Sequence, residues 1–374
     1  MIYLDYSATT NVNKEVLASF SKSAEEYFAN PNSMHKLGVN SKKLIEASTK
    51  KISELLKVKE TEIIYTSGAT ESNNTAIKSI AYTFKNRGNR IITTDFEHSS
   101  IYEPLEFLKK KGFIIDIVKT DENGIVSIDH LRELITDETI LVTIASVNSE
   151  IGIRQPVEEI AKVVIEHPKC FFHVDATQSI GKDKIDLSDI DLVSMSAHKF
   201  YGLKGIGILI KKENIRIEPL IHGGKSTTIY RAGTPALPLI VSTAKALRIA
   251  LESLDSNYAK VLELSNYLKE NLKTIPGITI NSNEMCIPHI VNISLNTVKP
   301  ETMQHALEEY DIYISTRTAC STNDYSRSVM ALTNDKEKAS TSIRISLSHL
   351  TTKEEIDIFI IRLKECFNKL NSLS

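Results

Sequence analysis

Six short runs rich in apolar and β-branched residues alternate with helical patterns through the first two-thirds of this 374-residue chain. That alternation constrains the fold more than any other feature. The runs lie at 62–65, 90–93, 113–117, 140–144, 171–174 and 207–210, with amphipathic segments such as 99–111 and 157–166 between them. Strands that alternate with helices build a mostly parallel sheet covered on both faces. The stretch 237–272 then reads as one long amphipathic helical region. Beyond it, 290–295 and 342–347 alternate apolar and polar residues as half-exposed strands do, and a last helix starts near Lys353. The expectation is a large α/β domain over 15–255. A smaller α+β domain would combine 256–374 with an N-terminal arm, 1–14.

Composition removes several classes of function. Hydrophobic residues make up 41% of the chain and charged residues 25%, with a formal charge of −2. Nothing there favours nucleic acid or an anionic membrane as a partner. No apolar stretch approaches the roughly 20 residues of a membrane span. The opening Met1-Ile2-Tyr3-Leu4 has no basic n-region, so a cytoplasmic protein is expected. Cys170, Cys286, Cys320 and Cys366 lie far apart without metal-ligand spacing, so neither a metal site nor a disulfide framework is expected. Cys170, Cys286 and Cys366 read as small buried hydrophobes.

The chemistry gathers around two segments, His173-Val174-Asp175-Ala176-Thr177-Gln178 and Ser196-Ala197-His198-Lys199. The first closes a strand, and ligands in open α/β sheets bind beyond the strands' C-terminal ends. An acid there, with a lysine 24 residues later, suits pyridoxal phosphate. The amine can hold the aldehyde as a Schiff base, and the carboxylate can keep the pyridine nitrogen protonated. Thr66-Ser67-Gly68-Ala69-Thr70 leaves a strand and opens a helix, a place for a phosphate. Taken alone it is equally an ordinary helix cap. Ser196 and His198 offer further phosphate donors. His98, following another strand, is a plain loop residue or a group that stacks on the ring and moves protons.

In order along the chain, Tyr3-Leu4-Asp5-Tyr6-Ser7-Ala8-Thr9-Thr10, Asn30-Pro31-Asn32-Ser33, Thr66 to Ser72, Glu97-His98, the two segments above and Arg231-Ala232-Gly233-Thr234 resemble the cysteine desulfurases of the NifS/IscS type. The resemblance runs from Ile2 to about Ile361. It implies the type I fold of pyridoxal phosphate enzymes, with a seven-stranded sheet, and a homodimer with shared active sites. It also implies roles. Lys199 would bind the cofactor aldehyde, Asp175 the ring nitrogen, and Gln178 and Ser149 the ring hydroxyl. Ala69, Thr70, Ser196 and His198 would hold the phosphate, and Thr234 would reach the phosphate in the partner subunit's site. Asn30 and Arg344 would bind the substrate carboxylate, although Arg344 alone also reads as a strand-surface charge. Cys320, in a polar stretch read as a mobile loop, would take sulfur from L-cysteine as a persulfide and carry it to an acceptor protein, for iron–sulfur cluster assembly or tRNA thiolation. A selenocysteine lyase, an aminotransferase or a catalytically weak sulfur-relay paralogue are the alternatives.

Three positions depart from the resembling family. Ser149 stands where an asparagine is usual, Lys225-Ser226-Thr227-Thr228-Ile229 replaces a glycine-containing stretch, and Ser348 replaces a glycine. The chain also stops at Ser374, short of the tail some members use to dock an iron–sulfur scaffold. Together these features point to a divergent paralogue.

Overall fold

The computed structural model describes residues 1–316 and 324–372. Cys320 lies outside the described residues.

Seven strands form the central sheet, in the order Ile63–Thr66, Gly207–Lys211, Leu192–Ser196, Phe171–Asp175, Thr139–Ala145, Arg90–Thr93, Ile114–Ile117. Gly207–Lys211 pairs antiparallel with both of its neighbours and every other pair is parallel, so six strands point one way. The strand Thr139–Ala145 is buried at all seven positions, as expected where helices cover both faces. This is the α/β architecture expected from the alternation.

Three readings change. Ile290–Ser294 and Ser342–Ser346, expected to be half-exposed, are buried at all five positions each. Leu192–Ser196 is a strand that the apolar runs did not reveal, because Ser194 and Ser196 interrupt it. It is fully buried all the same, and the Ser194 hydroxyl is satisfied by His173 Nε2 at 2.9 Å. The region 237–272 is two helices, Leu237–Glu252 and Leu254–Leu272, broken at Ser253. Ser253 donates its hydroxyl to the Ile249 carbonyl, closing the first helix. Apolar periodicity runs across such a break unchanged, so the pattern hid it.

A separate apolar core surrounds Val261, Leu268, Val291, Ile343, Ile345 and Phe359, and the N-terminal residues Ile2 and Leu4 join it. Its antiparallel sheet orders Ser342–Ser346, Ile290–Ser294 and Thr279–Ile280. The strand Ile2–Tyr3 pairs with Ile312–Tyr313. From there the chain crosses to the large sheet, where the Thr10 N–H donates to the His198 carbonyl at 3.0 Å. That crossing lays Ser7 and Ala8 beside Lys199. Among the described residues no helix is long and apolar enough to cross a membrane.

Candidate active site

Because six strands are co-directional, the segments following Thr66, Thr93, Ala145, Asp175 and Ser196 all emerge at one edge of the sheet. A cleft of about 530 Å³ opens there. Ten of the thirteen residues expected at the site line it: Ala69 and Thr70, His98, Ser149, Asp175 and Gln178, Ser196, His198 and Lys199, and Arg344. Asn30 and Thr234 do not. Both are exposed, and the Asn30 side chain accepts from the Asn32 N–H in a local turn.

Lys199 Nζ donates to the Ser7 and Ala8 carbonyls at 2.5 and 2.9 Å. Burial pushes its pKa down to about 8, helped by the Arg344 charge and opposed by Asp175 and Asp5. A lysine so shifted is half uncharged near pH 8, where an ordinary lysine is almost wholly protonated. Asp175 ends its strand almost fully buried. One oxygen accepts from the Thr177 N–H at 3.0 Å and the other from Asn73 Nδ2 at 2.8 Å, so the carboxylate is fixed in place.

His98 caps the helix Ser99–Lys109, its Nδ1 accepting from the Ser100 N–H at 3.1 Å. A backbone amide only donates, so Nδ1 is an acceptor and the neutral ring carries its proton on Nε2. Burial lowers the His98 pKa, with Asp175 opposing, which favours this neutral form. Its neighbour Glu97 is a buried acid raised to about 8, by burial first and Asp175 second.

At the other end of the cleft the helix Ala69–Phe84 begins at Gly68 without a side-chain cap. Its first-turn N–H groups therefore need an acceptor from outside the helix. Gly207 makes the approach possible, since a Cβ there would sit 2.6 Å from the Gly68 carbonyl carbon. Arg231 ties down the same turn, with Nε 3.0 Å from Glu71 Oε1.

These residues fit pyridoxal phosphate. Uncapped helical N–H groups suit its phosphate. A fixed carboxylate and a depressed lysine stand apart from them on the same cleft. Buried polar atoms at the walls, Thr177 Oγ1 and Arg344 Nε, have no partner among the described residues.

The chain matches the family described as aminotransferase class-V over residues 2–359. It is 41% identical to the cysteine desulfurase IscS of Buchnera aphidicola subsp. Baizongia pistaciae, covering all of this chain and 94% of that one. It is 39% identical to a NifS/IcsS protein homolog of Lactobacillus delbrueckii subsp. bulgaricus, covering both chains fully. The solved structure of a NifS-like protein superposes with a TM-score of 0.93 at 36% identity, covering 98% of this chain and 99% of that one. The chain belongs to the class-V aminotransferase family, among its NifS/IscS-type cysteine desulfurases. Pyridoxal phosphate is accordingly its cofactor, and the sheet is that of the type I fold.

For this class-V enzyme, sequence reasoning missed several residues that build the site. Asp5 pairs with Arg344, at 2.8 Å. Asn73 holds Asp175, and Lys182 stands behind Gln178 with Nζ 2.7 Å from Oε1. Asp5 and Asn73 carried no local signal, because their partners are 339 and 102 residues away. Lys182 was hidden differently: it heads the charge-rich run Lys182-Asp183-Lys184, which reads as a solvated stretch.

Proposed function

We propose that this enzyme is an L-cysteine desulfurase that yields L-alanine and moves the substrate sulfur onto Cys320. The observation that carries the reading is the meeting of the Lys199 amine, the fixed Asp175 carboxylate and an uncapped helix N-terminus on one cleft. Pyridoxal phosphate, when bound, supplies an electron sink that weakens bonds at the substrate's carbons. Asp175 would hold a proton on the pyridine nitrogen. Lys199 would bind the aldehyde and then release it to the substrate amine. Ala69, Thr70, Ser196 and His198 would hold the phosphate, and Gln178 and Ser149 the ring hydroxyl. His98 would deliver the proton on Nε2.

Arg344 is the candidate for the substrate carboxylate. It is buried, Nη2 is held by Asp5, Nη1 donates to the Ser149 carbonyl at 2.8 Å, and Nε has no partner among the described residues. That arrangement favours a carboxylate ligand over the surface-charge reading. Asn30, away from the cleft of its own chain, has no such support.

In the transfer step the Cys320 thiolate would attack the substrate sulfur, forming an S–S bond. The electrons of the breaking C–S bond pass to carbon, which takes a proton to become the alanine methyl. The persulfide on Cys320 then serves an acceptor protein. Thr234 is exposed near Arg231, which joins the phosphate-end helix through Glu71. That position supports a homodimer in which Thr234 completes the partner's site.

The test supplies purified enzyme with L-cysteine and a reductant and measures sulfide and alanine. Wild type should release them in equal amounts, and Lys199→Ala and Cys320→Ala almost none. Full activity in Cys320→Ala would overturn the transfer step.

A further inference from the structure

Lys182 is only 6% exposed, and no step above uses it. Its neighbour Gly181 adopts φ +75, and a Cβ there would lie 2.9 Å from Phe200 Cβ. Glycine thus lets the chain after Asp175 press against the residue following Lys199, which carries Lys182 beneath the cleft. Among the described residues Lys182 makes one hydrogen bond, from Nζ to Gln178 Oε1 at 2.7 Å.

Two neighbours fix the Gln178 amide in one orientation. The Ser7 carbonyl only accepts, so the group facing it at 3.0 Å is Nε2. That leaves Oε1 for Lys182, whose amine donates in either protonation state. The remaining side-chain N–H of Gln178, a cleft-lining residue, is then the one donor of that amide without a partner among the described residues.

We propose that Lys182 is a positioning residue that locks and polarises the Gln178 amide, so that this N–H is delivered to the ring oxygen of bound pyridoxal phosphate. The inference rests on the reading that Gln178 faces that oxygen. Ser149, the other residue read onto it, has only a short hydroxyl.

Lys182 acts in a positively charged neighbourhood. The charges of Lys199 and Arg344 act on it, and the imidazoles of His198 and His289 feel its own. Burial first, then those two cations, drives its pKa well below that of an ordinary lysine. A hydrogen bond, available to the neutral amine as well, is therefore the more direct route to Gln178.

The pH midpoint of the holoenzyme's visible cofactor band tests this. A donor to the ring oxygen stabilises its more anionic, basic form, so losing the donor raises the midpoint. Gln178→Ala should raise it by about one pH unit and Lys182→Met by about half a unit. The double variant should match Gln178→Ala to within about 0.2 units, because Lys182 acts through Gln178. An unmoved midpoint in Gln178→Ala would sink the reading of Gln178 itself. A shift in Gln178→Ala with none in Lys182→Met would overturn the positioning role. So would a Lys182→Met shift that persists undiminished without Gln178, which would mark a through-space charge. Should Lys182→Met fail to fold, Lys182→Gln keeps an N–H donor and should hold the wild-type midpoint to within about 0.2 units. A rise as large as that of Gln178→Ala would overturn the proposal.

Discussion

Asp5 and Arg344 meet through a 2.8 Å contact between Oδ1 and Nη2. Asp5 belongs to the N-terminal crossing and Arg344 to the antiparallel sheet. The Arg344 side chain is 5% exposed and that of Asp5 20%. Breaking a buried pair strands the surviving charge, at a cost of several kcal/mol. Asp5→Ala should therefore destabilise the protein by about 2–3 kcal/mol, discounted for the partial exposure of Asp5. Urea unfolding would measure it, and a loss under about 0.5 kcal/mol would show that the pair is not structural.

The lowered pKa of Lys199 has a kinetic and a thermodynamic consequence. The uncharged amine is the form that attacks an aldehyde, so capture of pyridoxal phosphate by the cofactor-free protein should accelerate with pH around a midpoint near 8. An unfolded lysine keeps its proton until about pH 10.4, so between these values the unfolded chain binds more protons. Stability should then rise with pH across that window. Stopped-flow absorbance between pH 6 and 10 checks the first point. A midpoint near 10 would mean that burial does not act on Lys199.

Asn73 is fully buried, and its Nδ2 spans Ser100 Oγ and Asp175 Oδ2, both at 2.8 Å. Hydrogen bonds to charged groups contribute about 1.5–3 kcal/mol. Asn73→Ala leaves Asp175 short of a donor. It should weaken cofactor binding by about tenfold or more in a titration of the cofactor-free protein. Unchanged affinity would assign the orientation of Asp175 to the Thr177 N–H alone.

Much of the site was legible because its residues fall just after strands, where a co-directional sheet collects them. His98 and Asp175 needed only that rule and their own chemistry, whereas Lys199, whose strand was not read, was found by its spacing from Asp175. Asp5 was not legible, since its partner is supplied by a different sheet at the far end of the chain. Leu192–Ser196 escaped because serine inside a strand resembles a loop unless its buried partner, here His173, is known. The break at Ser253 escaped for the opposite reason, its apolar pattern being continuous. Gly207 also carried no local mark, because its role is to leave room for Gly68 on another strand's loop.

That room gives a steric prediction. A Cβ at Gly207 would lie 2.6 Å from the Gly68 carbonyl carbon and 2.7 Å from the Met195 carbonyl oxygen, both backbone atoms that cannot step aside. Gly207→Ala should cost about 1–3 kcal/mol and displace the turn at Ala69 and Thr70. Gly224→Ala, where a Cβ meets nothing within 4 Å, is the control and should be neutral. Thermal melts and cofactor affinity compare them. Equal behaviour of the two variants would deny the close approach its role.

Glu97 offers a test in which sign decides. It is buried, its Oε1 accepts from the Thr94 hydroxyl at 2.6 Å, and its Oε2 accepts from the Ala145 N–H at 2.9 Å. Burial, with Asp175 nearby, raises its pKa to about 8, whereas the unfolded side chain titrates near about 4.3. Between those values the native state binds more protons, so Glu97 makes stability fall as pH rises. The protonated acid presents one carbonyl acceptor and one donor, as a glutamine does. Glu97→Gln can keep its carbonyl on the Ala145 N–H and turn its NH₂ to the Thr94 oxygen. This variant should fold normally, match wild type near pH 5 and be the more stable of the two above pH 7, with a flatter profile between. Urea unfolding at several pH values measures the difference, and parallel profiles would show that Glu97 is ionised throughout.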